Sequence, residues 1–324
     1  METHAELVPI HPQLTAPEAS RKVPNRSVDV TDLLRHIRVE DLLGLVNQYT
    51  RIKKSPLPTT HTLISPSTKV RTSTPKKDLW EYVGDLSGIA VTAAFEWKST
   101  GRVTIYSSID DIPENEYERA VWFAKKAAED SPWYRSRWIQ MKKASRYGPF
   151  RWLVGHLSPA VDRIAKEMAH EGETAVNDVQ FEHQFGSSIS MPNTEQDKPE
   201  PVLIKGRADV AFDPGNGRPA SIWEMKLVQT LKLESVAQIV AYGWLWQDSH
   251  PDAPFPRLVL FNVLDGERWE ISTTKEEARE VVVGLLRAKR PATKLTDDEF
   301  REQCEQTLEK ARDIVDRIPE VNIT

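Results

Sequence analysis

The stretch that decides the fold is residues 206–242, GRADVAFDPGNGRPASIWEMKLVQTLKLESVAQIVAY. Two strand-like runs flank the turn at residues 213–217, and turn-forming residues between such runs predict a β-hairpin. A run with helical spacing follows, from about Leu233 to Trp246. The segment therefore predicts strand, strand and helix, in that order.

Side-chain alternation divides the second strand into an apolar face and a charged face. Trp223, Met225 and Leu227 share one face, and their apolar side chains predict contact with a core. Glu224 and Lys226 share the opposite face. We therefore expect Glu224 and Lys226 to point together, away from that core.

The first strand of the hairpin carries an aspartate. By the same alternation, Asp209 shares a face with Arg207 and Ala211. The opposite face is apolar and comprises Ile204, Ala208, Val210 and Phe212. The hairpin is expected to bring Asp209 near Glu224, although the sequence does not fix the register.

Two neighbouring carboxylates need a partner of opposite charge or a proton. At 4 Å and an effective dielectric of about 20, their repulsion is roughly 4 kcal/mol. Carboxylate oxygens suit Mg²⁺ or Mn²⁺, and such a cation polarises a phosphodiester and activates water. Lys226 is then placed to orient or deprotonate that water. The residues therefore predict a hydrolytic site.

The motif order resembles that of the PD-(D/E)XK nuclease superfamily. Asp209 is followed by Glu224-Met225-Lys226 and then by Gln238-Ile239-Val240-Ala241-Tyr242, and the Gln-x-x-x-Tyr helix is similar to that of the RecB-like exonuclease branch. The likeness covers about residues 155–265. It implies an α/β fold with a restriction-endonuclease-like core, a mixed central sheet flanked by helices, in the order helix, three strands, helix, strand.

The resemblance also implies roles for individual residues. Asp209 and Glu224 would hold Mg²⁺ or Mn²⁺, with the backbone carbonyl of Met225 as a further ligand, and Lys226 would be the catalytic lysine. The chain departs from the family in two respects. Ala208 stands where a proline often precedes the aspartate, and the single cysteine excludes the iron–sulfur-bearing relatives.

The remaining implied residues belong to helices or lie near them. Gln238 and Tyr242 are four residues apart and share a helix face, from which the resemblance implies that they line the site and touch DNA. An acid from the preceding helix usually completes the site in this family. Glu167 is the candidate, and Glu171 and the strand residue Glu182 are the alternatives.

The rest of the chain predicts added helical segments at both ends of the core. We divide it into residues 1–77, a flexible tail with short helices between Val28 and Tyr49 and a basic linker; 78–152, an accessory region; 153–272, the nuclease-like core; and 273–324, C-terminal helices. In the accessory region we expect a hairpin of Ile89–Trp97 and Val103–Ser107 before a helix at Glu114–Asp130. The C-terminal helices are expected to begin with capping boxes at Thr273-x-x-Glu276 and Thr296-x-x-Glu299.

Three other segments allow a functional and a plain interpretation. Residues 51–77 hold seven basic and no acidic residues, which fits a solvated linker or a tether to phosphates. Residues 133–152 hold six basic and six aromatic residues, which fits an amphipathic helix or a single-strand binding surface. Glu96-Trp97-Lys98 repeats the Glu-x-Lys spacing, but without a following Gln-x-x-x-Tyr helix, so an exposed strand end is expected.

Composition limits the classes of protein that fit. The 324 residues carry 43 Lys and Arg against 48 Asp and Glu, a net charge of −5, so nucleic-acid binding would need local basic patches. A run of about 18 apolar residues is absent, so we expect no membrane span. With no apolar leader after the first residues, we expect an intracellular protein, and the nucleus is one compartment open to it if the source is eukaryotic.

The sequence thus predicts a metal-dependent nuclease that hydrolyses DNA, with single strands or free ends among the possible substrates. The alternative is a catalytically inactive nucleic-acid-binding or scaffold module that retains the fold and docks a protein partner through its terminal helices. Hydrolysis of RNA is a third hypothesis. Because the sequence contains no feature that reads a 2′-hydroxyl, only a panel of DNA and RNA substrates decides between the two.

Overall fold

The structure of the chain is a computed structural model, which describes residues 26–35, 37–55, 77–106, 109, 111–129, 150–170, 179–191, 200–213, 219–228, 230–289 and 305. The strands are β1 (Arg26–Asp29), β2 (Arg51–Ser55), β3 (Val179–Met191), β4 (Glu200–Phe212), β5 (Ser221–Lys226), β6 (Arg257–Asn262) and β7 (Arg268–Ser272). The α-helices are α1 (Val30–Leu34), α2 (Val39–Tyr49), α3 (Lys77–Thr100), α4 (Glu116–Glu129), α5 (Leu157–His170), α6 (Leu233–Ser249) and α7 (Lys275–Lys289). Over the described ranges, no helix is both long and apolar enough to cross a lipid bilayer.

The seven strands form one mixed sheet in the order β1-β4-β5-β6-β7-β2, with β3 paired to β4. β3, β4 and β5 are antiparallel neighbours. β5 and β6 are parallel, and α6 makes the crossover between them. The chain from α5 to β6 therefore runs helix, three antiparallel strands, helix and parallel strand, the order that the sequence predicts.

The two edges of β4 are occupied differently. β3 pairs with one edge from Glu200 to Phe212, with a single interruption at Asp209. On the other edge, β1 pairs with Val202–Lys205 and β5 pairs with Val210–Phe212. Residues 206–209 between these two ladders have no strand partner on that edge among the described residues. We call this interruption the β4 notch.

Helices cover both faces of the sheet and enclose two cores. The first core joins α3, α4 and α5 to one face and includes Leu86, Ala90, Phe123, Ile164, Trp223, Met225, Leu227, Val259 and Phe261. The second core joins α1, α2, α6 and α7 to the other face and includes Leu33, Val46, Ile204, Ala208, Ile222, Val240, Leu260 and Val282. The predicted apolar face of β5 is thus confirmed as core.

The hairpin predicted at Ile89–Trp97 and Val103–Ser107 is wrong. The first of its strands lies inside α3, a helix from Lys77 to Thr100. Leu86, Ala90 and Ala94 recur every four residues and are buried, as expected of a helix face in a core. The run between Ile89 and Phe95 is apolar almost without interruption, so its sequence does not separate a buried strand from a buried helix.

The N-terminal segments contribute to the same sheet. The helical spacing between Val28 and Tyr49 predicts one or two short helices, and the structure has two, α1 and α2. Arg51–Ser55, predicted as part of a linker, instead forms β2, antiparallel to β7. Basic side chains are common on edge strands, because they discourage pairing with another chain. Lys54 also lies over the Trp269 ring, with Nζ 4.2 Å from its centroid.

The helix predicted to follow residue 273 begins with a capping box one residue later than expected. Thr274 N–H donates to Glu277 Oε2 at 2.9 Å, and Glu277 N–H donates to Thr274 Oγ1 at 3.2 Å. This reciprocal pair, rather than Thr273 with Glu276, satisfies the first turn of α7. The second predicted box, at residues 296–299, lies outside the described residues. The proposed division of the chain into four segments stays a prediction.

Candidate functional site

Asp209 and Glu224 lie opposite each other where β4 and β5 separate. The ladder between the two strands ends with Val210 opposite Trp223, and the next register position places Asp209 opposite Glu224. Asp209 Oδ2 accepts a hydrogen bond from the backbone N–H of Met225 at 2.7 Å. The hairpin therefore brings the two carboxylate-bearing residues together at the β4 notch, as expected of a hairpin in this segment, and the structure supplies the register that the sequence did not fix.

A chain of polar contacts links this pair to α6. Lys226 Nζ donates to Glu224 Oε1 at 2.6 Å and to Gln238 Oε1 at 3.1 Å. Gln238 Nε2 in turn donates to the Tyr242 hydroxyl at 2.8 Å. Gln238 and Tyr242 thus face the strands from the same side of α6, and Lys226 is held between a carboxylate and an amide.

Glu224 is the most deeply buried carboxylate of the site. It is only 3% exposed, and its Oε2 atom is buried without a hydrogen-bond partner. Because a buried oxygen without a partner costs about 1–3 kcal/mol, such an atom calls for an explanation. Lys226 neutralises the other oxygen only. The orphaned oxygen beside Asp209 is the kind of feature that a bound cation or water would satisfy.

The pKa of Asp209 lies well above its ordinary value. Burial is the main cause, because it disfavours the ionised form, and the negative charges of Glu224 and Glu182 raise the pKa further. The charge of Lys226 and the hydrogen bond from Met225 N–H lower it in part. Asp209 therefore favours binding a proton or a cation.

Tyr242 is packed directly against the backbone of β4. It is 1% exposed, and a Cβ atom at Gly206 would lie 2.6 Å from its Cε1 atom. Burial, followed by the negative charge of Glu224, raises the pKa of Tyr242 well above its ordinary value. The phenol is therefore neutral in the physiological range, and its hydroxyl can hold Gln238 in place.

A third carboxylate lies in the same row on β3. Phe181 pairs with Val210 and His183 pairs with Ala208, so the intervening position places Glu182 opposite Asp209. The ladder is interrupted there, because Glu182 has a left-handed backbone with φ of 50°. Glu182 is 8% exposed, and its Oε2 lies 2.7 Å from Nε of Arg207. Glu182, Asp209 and Glu224, which we call the carboxylate row, thus cross three neighbouring strands.

The predicted faces of β4 are partly wrong because of this interruption. The alternation placed Ala208 and Val210 on one apolar face with Ile204, but Val210 packs in the first core and Ala208 in the second. Ala211, predicted on the opposite face, also packs in the second core. An irregular backbone shifts the two-residue period, so side chains on either side of Asp209 no longer follow one pattern.

Glu167, the predicted acid from the preceding helix, lies away from the row. Its helix α5 packs in the first core, on the face of the sheet that Trp223 shares, whereas Glu224 points to the other face. Glu167 Oε1 lies 3.7 Å from Nε of Arg268 on β7. Its rival Glu171 falls outside the described residues. Of the three candidates, the structure brings Glu182 to Asp209.

The other segments that the sequence singled out lie elsewhere. Glu96, of the second Glu-x-Lys, is buried in α3 and accepts hydrogen bonds from the Thr104 backbone N–H and from Thr104 Oγ1, the latter at 2.5 Å. The prediction of an exposed strand end is therefore wrong here: Glu96 is buried and stabilises the C-terminal end of helix α3. The basic and aromatic residues from 133 to 149 lie outside the described residues.

The carboxylate row is not closed into a ligand set. Among the residues that the structure describes, no group of three or more His, Cys, Asp or Glu side chains is arranged to hold a metal ion. Within the row, each outer carboxylate is paired with a cationic side chain, Glu224 with Lys226 and Glu182 with Arg207. A cation could bind Glu224 through the free Oε2 atom without displacing Lys226, but Glu182 would have to share its charge between the cation and Arg207.

Comparisons with known proteins leave the family open. No protein-family model matches the chain, and none of the curated proteins matches it. A solved structure described as "Crystal structure of SSO0001" is similar over 64% of this chain and 85% of that chain, at 17% identity and a TM-score of 0.28. A TM-score this low carries no argument about fold or function.

Proposed function

We propose that the protein is a metal-dependent nuclease of the PD-(D/E)XK type that hydrolyses phosphodiester bonds of DNA. The observation that carries this proposal is the orphaned, buried Oε2 of Glu224, in a site where Asp209 lies opposite and Lys226 contacts the other oxygen. Two carboxylates can hold a divalent cation and a neighbouring lysine can orient water, so this group of residues suits metal-assisted hydrolysis.

The arrangement of the elements supports the same proposal. α5, β3, β4, β5, α6 and β6 follow in the order that the superfamily's core has, with antiparallel strands first and a parallel strand after the crossover helix. The proposed fold is therefore a restriction-endonuclease-like core. The elements β1, α1, α2, β2, α3 and α4 are added before it, and β7 and α7 after it.

The residues present fit a divalent cation. Asp209 and Glu224 offer hard carboxylate oxygens, the ligands that Mg²⁺ and Mn²⁺ prefer. The N–H and C=O of one strand residue point to the same side, so the carbonyl of Met225 faces β4 together with its N–H, whereas the Lys226 carbonyl accepts from Val263 N–H at 2.7 Å on the other side. Asp209, Glu224 and the Met225 carbonyl would hold the cation, which when bound polarises the phosphodiester and activates water.

The chain's own residues prepare the attack of water on phosphorus. Lys226 carries its charge to within 2.6 Å of Glu224, where it can orient a water molecule and donate a hydrogen bond to it. Gln238 fixes the position of Lys226, and Tyr242 fixes the amide of Gln238. As the new P–O bond forms, the attacking water gives a proton to the surrounding solvent. The 3′ or 5′ oxygen departs with the electrons of the bond that breaks and takes up a proton from solvent.

Cleavage assays with single-residue variants test this function. Purified protein is incubated with linear double-stranded and with single-stranded DNA, in Mn²⁺, Mg²⁺ or EDTA. We expect cleavage that depends on the cation and is lost in Glu224→Ala and Lys226→Ala, while circular dichroism remains that of the wild type. Lys98→Ala is the matched control, because Lys98 belongs to the other Glu-x-Lys and pairs with Asp162 at 2.5 Å. Cleavage that persists in both site variants would reject the assignment.

The alternative is a catalytically inactive module that binds nucleic acid or a protein partner. One observation favours it, because among the described residues the row does not form a ligand set of three. Binding of DNA without cleavage, with every substrate and cation of the assay, would support this alternative. RNA is included among the substrates, since cleavage of RNA alone would redirect the proposal to ribonuclease activity.

A further inference from the structure

An arginine holds the third carboxylate beside the proposed cation site. Arg207 Nε lies 2.7 Å from Glu182 Oε2, across the strand pair β3–β4. Glu182 stands at the register position opposite Asp209. Glu182 is one strand from Asp209 and two strands from Glu224. Neighbouring strands lie about 4.8 Å apart, so the backbone of Glu182 is about that far from Asp209 and about twice as far from Glu224.

The two partners of this ion pair differ in burial. The Glu182 side chain is 8% exposed, whereas the Arg207 side chain is 48% exposed. An arginine in that position can turn into solvent at little cost, but a buried carboxylate that loses its partner is strongly destabilised. Glu182 therefore needs a positive charge, and that charge need not be Arg207.

The opposite end of the row has a complementary deficiency. Glu224 is 3% exposed and its Oε2 has no hydrogen-bond partner. A cation at Asp209 would satisfy this oxygen on one side and would lie one strand from Glu182 on the other. The cation would then neutralise the charge of Glu182, as Arg207 does when no cation is bound.

We propose that Glu182 is the third carboxylate of the cation site and that Arg207 competes with the cation for it, so that cation binding releases Arg207 to contact a phosphate of the DNA. The inference rests on the proposed function and adds a residue pair that couples metal binding to substrate binding. A guanidinium suits this exchange, because it forms paired hydrogen bonds with carboxylate and with phosphate alike.

The proposal predicts effects of opposite sign for one variant. Mn²⁺ affinity is measured by the loss of the free-ion electron paramagnetic resonance signal, and DNA affinity by fluorescence anisotropy in saturating Ca²⁺ with single-stranded and duplex oligonucleotides. Arg207→Gln is expected to bind Mn²⁺ several-fold more tightly and DNA about tenfold more weakly, since a hydrogen bond to a charged group is lost only from the DNA complex. Glu182→Gln is expected to weaken Mn²⁺ binding by about tenfold or more.

Matched controls separate this exchange from a general effect of charge. Arg257 Nε and Glu270 Oε1 form another cross-strand pair at 3.4 Å, between β6 and β7, so Arg257→Gln and Glu270→Gln remove the same groups outside the row. Both are expected to leave Mn²⁺ and DNA affinities within about twofold of the wild type, as for surface pairs. Circular dichroism and thermal unfolding verify that each variant folds.

Each outcome decides one of the two proposals. If Arg207→Gln lowers the affinity for both Mn²⁺ and DNA, or changes neither affinity, as is expected of the Arg257→Gln control, the proposed exchange is wrong. This conclusion holds whether or not Glu182→Gln folds. If the wild type binds no Mn²⁺, or Asp209→Asn and Glu224→Gln bind it as the wild type does, the cation site itself is wrong and the proposed function fails with it.

Discussion

A Cβ atom on Gly206 would lie 2.6 Å from Cε1 and 2.9 Å from Cδ1 of Tyr242. The absence of a side chain at this position lets the tyrosine ring lie against the β4 backbone, at the start of the β4 notch. The ring in turn sets the height of its hydroxyl, which accepts from Gln238 Nε2. One glycine in the sheet therefore positions the polar chain that ends at Lys226.

We predict that Gly206→Ala displaces the Tyr242 ring and with it Gln238. The added methyl group would be far inside van der Waals distance, so unfolding in urea should show a loss of about 1–3 kcal/mol, typical of overpacking. DNA cleavage should fall as well, because Lys226 loses its fixed amide partner. Gly44→Ala in α2 is the control, since a Cβ there has nothing within 4 Å, and its stability should be equal or higher. Equal effects of the two variants would contradict this role of Gly206.

The raised pKa of Asp209 makes stability depend on pH in the absence of divalent cations. The folded pKa lies above the unfolded value, so folding takes up a proton, and the wild type should become more stable as the pH falls from above the folded pKa towards the ordinary value. Asp209→Asn removes the buried charge and can still accept from Met225 N–H. In EDTA, we expect its melting temperature to exceed that of the wild type at pH 8 and the difference to shrink on acidification. A variant that melts lower at every pH would disagree with this sign.

Mn²⁺ should stabilise the wild type through the carboxylate row. A ligand that binds only the folded state at about 100 times its dissociation constant adds about 2.7 kcal/mol. We expect the melting temperature to rise with Mn²⁺ concentration in the wild type and in Lys98→Ala. Glu224→Gln should show no such rise, because it loses the oxygen pair of the most buried ligand. Differential scanning calorimetry across a titration from EDTA to excess Mn²⁺ measures the effect.

Substitution of Lys226 or of its partner Gln238 should lower the rate of cleavage more than it lowers the affinity for the cation. Lys226→Met should reduce the rate of cleavage by about 10²–10³-fold, the usual range when one preorganised hydrogen-bond donor is removed from a site. Gln238→Ala should cost less, because Lys226 keeps its contact with Glu224 at 2.6 Å. Single-turnover kinetics in saturating Mn²⁺ separate the two effects from binding. The order would be inconsistent with the proposed roles if Gln238→Ala were the slower enzyme.

The sequence predicted those features that depend on a regular period. In β5, Trp223 and Met225 point into the first core, and Glu224 and Lys226 point to the site. Because burial of one face fixes the register of a strand, it also fixes the direction of the side chains on the other face. The spacing of Gln238 and Tyr242 is likewise a property of any helix. For these residues, the local pattern and the tertiary structure agree.

Features without a period could not be predicted. α3 is apolar around most of its circumference, so no polar stripe marks its helical repeat between Ile89 and Phe95. β2 is an edge strand with basic residues, which resembles a linker in composition. The left-handed backbone of Glu182 leaves no trace in the sequence, because the residue is neither Gly nor Asn. That backbone changes the faces of β4 and helps to decide which acid stands beside Asp209.

The β4 notch has a consequence for proteolysis. One of its walls is β1, only four residues long, contributed by the chain before Val30 and parallel to Val202–Lys205. Cleavage of the chain just before α1 would remove β1. The backbone N–H and C=O groups within Val202–Lys205 that face β1 would then lose their strand partner, while those that face β3 would keep theirs. An exposed strand edge can pair with an extended segment of another chain. Proteolytic removal of β1 would therefore widen the β4 notch and promote self-association of the protein.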